Sequence, residues 1–369
     1  MRARGFVLVV ASFALVFCGC DDEPGIGPFV DGGVSDGGGV PDGGGIPDDA
    51  GPLPAGVATL AGSGMAGFAD GFRDGAMLAN PVNVAVLPGG DVVVADFDNN
   101  AIRRVTPEGL VTTMVSEDAG LVRPFGLAVG EDGNVFVETD GNGEGGDGGA
   151  IWLLSPDAGT ITVVADNVGR PRGLAVLDDG RVALSDDQAH TISLLDPDTG
   201  DIQVLAGAPG QAGFLDGTGG EARFSAPADV VVDPDGALLV ADNHNHRIRR
   251  VTLAGQVTTV AGTGMAASDD GAALDATFNG PQGLAVSEDG TVFVSEMGGH
   301  VIRRLAGGQV TTVAGTGTAG FENGDPDQAE FFGLEGIDLD AGSGILYIAD
   351  GNQGNPGPYN RVRRLTLAE

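Results

Sequence analysis

The sequence predicts an all-β protein: a six-bladed β-propeller with four antiparallel strands per blade. Three observations predict it. First, near-identical words recur. Val94–Val115 reads VADFDNNAIRRVTPEGLVTTMV, Val240–Gly264 reads VADNHNHRIRRVTLAGQVTTVAGTG, and Val294–Gly317 reads VSEMGGHVIRRLAGGQVTTVAGTG. The acidic residue closing the first apolar run steps from Asp242 to Glu296 to Asp350, 54 residues each time. A period of this size signals a repeat architecture. Second, Gly supplies 66 of the 369 residues and aromatics only 5%, which suits short strands joined by tight turns. Third, each repeat carries four short apolar runs separated by turn residues, and propeller blades have four strands.

The chain begins with a segment read as an export signal, residues 1–19. Arg2 and Arg4 precede an apolar run from Phe6 to Phe17, too short to span a bilayer comfortably as a helix. The Gly19-Cys20 pair that follows resembles a bacterial lipoprotein signal, which makes Cys20 the expected lipidation site. A simple cleaved secretory signal is the alternative. Both cysteines, Cys18 and Cys20, lie here, so the rest of the chain must hold together without disulfides. Residues 20–54 are Gly, Asp and Pro with little apolar content; such a segment cannot repay its ordering entropy and reads as a tether. Residues 55–369 are the expected propeller. The expected location is the cell envelope, lipid-anchored to a bacterial membrane and facing the periplasm or the cell surface.

Within a repeat, the fifth serves as template. Pro281–Val286 is the innermost strand and Ser287-Glu-Asp-Gly290 a turn. Thr291–Glu296 is the second strand and His300–Leu305 the third. Gly307-Gly308 is a hairpin signal, and Gln309–Ala314 is the outer strand. Near-continuous apolar inner strands suit blades packed on both faces. Six inner-strand words occur but only five outer-strand words follow their own third strands. The missing one stands at the other end, as Gly56-Val-Ala-Thr-Leu-Ala-Gly62. Residues 57–62 are therefore expected to pair with residues 361–367 and to close the last blade, removing an open edge.

The words P-x-G-L-A-V, D-G-x-V-x-V-A-D, N-H-R-I-R-R and G-x-V-T-T-V-A-G resemble the NHL repeat. The resemblance covers residues 57–369 and is degenerate in repeats 2 and 3, where Ile151-Trp152-Leu-Leu and Ile192-Ser-Leu-Leu replace the Ile-Arg-Arg word. It implies a six-bladed propeller. The functions it implies range over protein-binding and RNA-binding modules, sensor domains, a peptidyl-hydroxyglycine lyase and gluconolactonase-like hydrolases, and the fold does not select among them.

Candidate site residues come from the loops and the recurrent charges. Strand alternation puts the inner–second and third–outer turns on one end and the longer connections on the other. Three connections carry Asp70, Asp216 and Asp270 in a recurring word, Gly67-Phe-Ala-Asp-Gly71 and its relatives, and Gly320-Phe-Glu-Asn-Gly324 is the fourth copy. Repeat 2 instead has the Asp140–Asp147 loop. Elaborated loops on one end of a rigid scaffold are where binding usually sits, so Asp70, Asp140, Asp147, Asp216 and Asp270 define the expected binding face. An architectural role weighs against this, with Phe68, Phe214 and Phe321 tucking each connection onto the blade below. His190, His246 and His300 occupy equivalent places in consecutive blades and join the candidate face. Zinc is not expected there, because equivalent points of neighbouring blades lie too far apart to share one ion. Asp140-Gly-Asn-Gly-Glu-Gly opens like a calcium loop, but Ile151 stands where the closing Glu belongs. A loose calcium site there stays open as an alternative; otherwise no metal or cofactor is expected. Asp96, Asp242, Glu296 and Asp350 on second strands are expected to pair with Arg103, Arg249, Arg303 and Arg363 on third strands.

The chain carries 18 basic and 52 acidic residues, a formal charge of −34. This argues against nucleic acid and anionic lipid as partners, leaving the membrane contact to a lipid anchor and a monomer as the expected state. No Ser/His/Asp nucleophile word and no phosphate loop is visible. Two functions follow. One is a non-enzymatic envelope-tethered module that binds protein, peptide or glycan through the long-loop face. The alternative is a metal-dependent lactonase or lyase of the gluconolactonase-like type, with its site at the mouth of the central channel.

Overall fold

The computed structural model describes residues 46–47, 50–141, 148–355 and 357–367. The expected signal segment, Cys20 and Asp147 lie outside these residues. Six antiparallel sheets form the blades, each led by an innermost strand: Pro81–Val86, Val122–Val129, Pro171–Val176, Pro227–Val232, Pro281–Val286 and Gly333–Asp340. The core lies between blades. Leu127, Val135 and Trp152 of the second blade pack on Val93 and Ile102 of the first, and Phe293 and Ile302 of the fifth pack on Ile337 and Leu346 of the sixth.

The sixth blade closes the ring. Val57–Gly64 is its outer strand, with Val57 opposite Leu365 and Gly64 opposite Asn360. Val57, Leu60 and Ala61 are fully buried, so the closure carries core contacts as well as backbone pairing. The packing begins before residue 55: Arg364 donates to the Leu53 carbonyl at 3.1 Å and Arg73 to the Gly51 carbonyl at 2.6 Å.

The recurring Asp-Gly word has a role the sequence did not suggest. Each connection leading into the first, fourth or fifth blade first runs along that blade's own outer edge. Gly71–Phe72 pairs with Leu110–Val111, Gly217–Thr218 with Gln256–Val257, and Gly271–Ala272 with Gln309–Val310. In the sixth blade Gly324 bridges to Val57. The phenylalanines hold the connections against the blades from outside. Phe68, Phe214 and Phe321 stay 53%, 46% and 38% exposed, and their rings contact the guanidinium groups of Arg103, Arg247 and Arg361 on the third strands.

Candidate functional site

In four blades one buried arginine joins three elements. Arg103 reaches Asp96 on the neighbouring strand at 2.7 Å and Asp70 on the connection at 2.7 Å. Arg249 does the same with Asp242 at 2.6 Å and Asp216 at 2.5 Å. Arg303 reaches Glu296 and Asp270, and Arg363 reaches Asp350 at 2.8 Å. All four guanidinium groups are fully buried, and the carboxylates they face, two each for Arg103, Arg249 and Arg303 and one for Arg363, offset their desolvation. Burial pushes the Asp96, Asp242 and Glu296 carboxyls up, while the arginines and backbone donors pull them back. The structure thus draws Asp70, Asp216 and Asp270 into seating the connections. Each also accepts from a threonine of the outer strand: Thr113, Thr259 and Thr312.

The histidines are not brought together. His190 Nδ1 accepts the Ala226 N–H and His246 Nδ1 the Gly280 N–H, each at 3.1 Å. These bonds tie one blade to the next. Asn100 in the first blade takes the Arg123 N–H in the same way, at 2.9 Å. All three residues, and His300, hold positive φ between 51° and 60°, a conformation Asn and His tolerate better than bulky residues do. His300 Nδ1 has no partner among the described residues. Asp140 is held by Arg170 at 3.2 Å and Arg172 at 2.9 Å. The Arg172 contact is an ion pair rather than an aligned hydrogen bond.

Blades two and three depart from this scheme, and a polar cluster forms between them. In the second blade Trp152 stands in the arginine's place and donates Nε1 to Thr139 Oγ1 at 3.0 Å. Thr139 replaces the acid. Glu138, one residue earlier, turns toward the channel. Its counterparts in the third and fifth blades are Ser185 and Ser295, whose hydroxyls bridge to the Ala228 and Glu335 carbonyls of the next inner strands. Glu138 is fully buried, lies 3.5 Å from Arg172 Nη1, and leaves Oε1 without a partner among the described residues. The Arg172 guanidinium is stacked over the Phe125 ring at 4.1 Å. Asp187 closes the group, with Oδ1 buried and unpartnered among the described residues. Across the channel is Glu335. Burial pushes both Glu138 and Glu335 up to about 8, with Arg172 pulling each back. At neutral pH these two carboxyls are mostly protonated and can donate.

Below the cluster the channel is pinched. The inner strands present Asn83, Gly126, Gly173, Asp229, Gly283 and Gly336 at equivalent heights. A Cβ on Gly173 would come within 2.6 Å of the Asp229 Cα, and one on Gly283 within 2.4 Å of the Glu335 carbonyl oxygen. Glycine is required here by the close approach of neighbouring inner strands. The neck leaves about 10 Å³, room for one water at most. On its far side, at the short-turn end, a cavity of about 550 Å³ opens. Asp229 and Asp338 line it. Burial raises them to about 7 and about 6, although each carboxylate accepts two backbone N–H groups.

These polar groups do not suit the divalent ion that the gluconolactonase resemblance implies. Asp229 and Asp338 spend their oxygens on the backbone, Asn83 Oδ1 accepts the Val84 N–H, and Glu138 faces Arg172. Among the described residues no three His, Cys, Asp or Glu side chains converge as a ligand set.

Glu138, Arg172, Asp187, Asp229, Glu335 and Asp338 were missed in the sequence. A signal existed. Arg172, Gln282 and Glu335 put polar residues into the x of the P-x-G-L-A-V word or its sixth-repeat equivalent, and Glu138 stands where other second strands carry Ala or Ser.

The SMP-30/Gluconolactonase/LRE-like region family matches residues 69–268, more than half of the chain. Protein SUPPRESSOR OF QUENCHING 1, chloroplastic, of Arabidopsis thaliana is 26% identical over 292 residues, 68% of this chain and 27% of its own length. NHL repeat-containing protein 2 of Bos taurus is 32% identical over 149 residues, 37% of this chain and 20% of its own. The chain therefore spans about a quarter of these relatives. Among solved structures, an auxiliary nutrient binding protein of Bacteroides thetaiotaomicron superposes with a TM-score of 0.66 at 19% identity, over 84% of this chain and 75% of that one. That likeness concerns the fold. The repeated words, the closed ring of six blades of four or five strands and the family match agree that the chain is an NHL-repeat propeller and belongs to the SMP-30/Gluconolactonase/LRE-like family.

Proposed function

We propose that the chain is an exported, envelope-tethered propeller that works as a non-enzymatic binding module, taking a peptide or glycan group at the long-loop mouth of its channel. One observation carries this reading. Where the sequence abandons its repeat, in blades two and three, the structure gathers Glu138, Asp140, Arg172 and Asp187 around the mouth, with buried oxygens of Glu138 and Asp187 left unpartnered among the described residues. Buried polar groups without partners are rare and need a reason; a ligand's hydroxyl or amide groups would satisfy them. The Phe125–Arg172 stack adds a flat surface, and the protonated Glu138 and Glu335 add donors. The module is expected to work from the envelope, on a lipid carried by Cys20. A solved propeller of similar fold is described as nutrient binding, which agrees with uptake or capture of a small polar ligand.

The test is capture on peptide and glycan arrays by the intact protein and by Arg172→Ala and Glu138→Gln variants. Capture by the parent that both variants lose, unaltered by a chelator, is the expected result. Turnover of a sugar lactone that needs a divalent ion, with no capture, would replace this reading with the gluconolactonase-like one.

A further inference from the structure

The outer edges of the six blades are not alike. In the first, fourth and fifth blades a short strand from the incoming connection pairs with the outer strand, and in the sixth Gly324 does so by a single bridge. The connections into the second and third blades lack the Asp-Gly word. Their outer strands, Ile161–Asp166 and Ile202–Gly207, end their sheets with no further strand among the described residues.

The side chains on these two edges have changed to match. On the covered edges the residue opposite the buried arginine is Thr113, Thr259 or Thr312, and each donates to the connection's aspartate. At the same register the open edges carry Val163 opposite Trp152 and Val204 opposite Ser193. Two residues earlier, the covered edges bury Val111, Val257 and Val310, whereas Ile202 on an open edge is 40% exposed. Val163 and Val204 are 46% and 45% exposed. The polar hook that recruits the chain's own strand is missing, and an apolar surface stands in its place.

We propose that these two outer strands are docking edges for an extended segment of a partner protein, which adds as a further β-strand. An open edge offers a row of backbone donors and acceptors, and side-chain pockets choose the partner. The chemistry required is readable. Opposite Val163 and Val204 the partner supplies apolar side chains, since no buried arginine waits there for an acid. Asp157 precedes the first edge in its turn, and Asp198 and Asp201 precede the second, so basic residues suit the ends of the docking segment. The formal charge of −34 disfavours a second copy of this chain as the occupant. This edge lies outside the channel mouth and does not depend on Arg172.

The probe is a fluorescein-labelled synthetic peptide of alternating valine and threonine with arginine at both ends, titrated into the intact protein and followed by anisotropy. A proline-interrupted peptide is the control. Saturable binding of the first and not the second is expected, with amide exchange in residues 161–165 or 202–207 slowed about tenfold or more. The double variant Val163→Glu, Val204→Glu, on exposed positions that leave the core intact, should lose binding; Thr259→Val on a covered edge should keep it. Absence of binding, binding that survives the double variant, or protection elsewhere would overturn the proposal. A concentration-dependent dimer that shields the same residues without peptide would assign the edges to a second copy instead.

Discussion

The buried arginines sort the acidic residues by the work they do. Asp96 and Asp242 are fully buried beside Arg103 and Arg249, whereas the side chains of Asp70 and Asp216 are 50% and 46% exposed. Removing a buried partner strands a charge in the core, which costs about 3–5 kcal/mol; removing a half-exposed one costs about 1 kcal/mol or less. Urea unfolding should therefore show Asp242→Ala far less stable than Asp216→Ala. Equal losses would mean that the loop carboxylate carries the pair. Glu138 and Glu335 make a second residue-scale prediction. Their folded-state carboxyls are raised from 4.5 to about 8, so the native state binds protons that the unfolded state has released. Their contribution to stability is complete below about pH 4.5 and is lost as pH rises toward 8. The melting temperature should fall between pH 5 and pH 8.5, and Glu138→Gln with Glu335→Gln should flatten that slope. The four recurrent Asp/Glu–Arg pairs were legible because identical words demand identical contacts. The Glu138–Arg172 contact was not, since 34 residues separate them and no repeat word contains it.

At the scale of the element, the closing strand and the pinched inner strands carry the predictions. Val57–Gly64 pairs with Asn360–Thr366 and buries Val57, Leu60 and Ala61. A chain that begins at Met65 exposes the edge of the sixth blade and uncovers Tyr347 and Val362, which share a core cluster with Leu60. It should lose cooperative unfolding in a calorimeter rather than melt a degree or two lower. An unchanged transition would show that the ring closes by other contacts. Gly283→Ala should be costly, on the order of 2 kcal/mol or more, because its Cβ would meet the Glu335 carbonyl at 2.4 Å. Gly290→Ala is the comparison. It sits in open space but at φ 80°, so its cost is backbone strain of about 1 kcal/mol, and Gly283→Ala should be the worse of the two. Strand order and closure were readable from the count of words. The use of the Asp-Gly word as a fifth strand was not, because two residues carry no periodicity to read.

For the whole molecule, charge sets the terms. A formal charge of −34 on 369 residues repels itself in the compact state. Raising salt from about 0.02 M to about 0.5 M shortens the Debye length from roughly 20 Å to roughly 4 Å, so the melting temperature should rise with salt. A fall would mean that the exposed ion pairs, such as Arg181–Asp179 at 2.6 Å, outweigh the general repulsion. The same field favours neutral or cationic ligands at both the channel mouth and the open edges.

By itself the sequence determined the fold class, the number of blades, the closure by residues 57–62 and the acid–arginine pairs. All of these are local words repeated at a fixed period, and a stacked repeat has only one way to bury its faces. Only the tertiary structure decided which carboxylates serve loops and which face the channel. Only it showed that the neck closes on glycines and that two outer strands have no further strand beside them among the described residues. Those features arise between blades or between a connection and a strand more than 30 residues away, where the repeat is broken rather than kept. The physical reason is plain: periodicity encodes what every blade shares, and a site on a propeller is made by what one blade does differently from its neighbours.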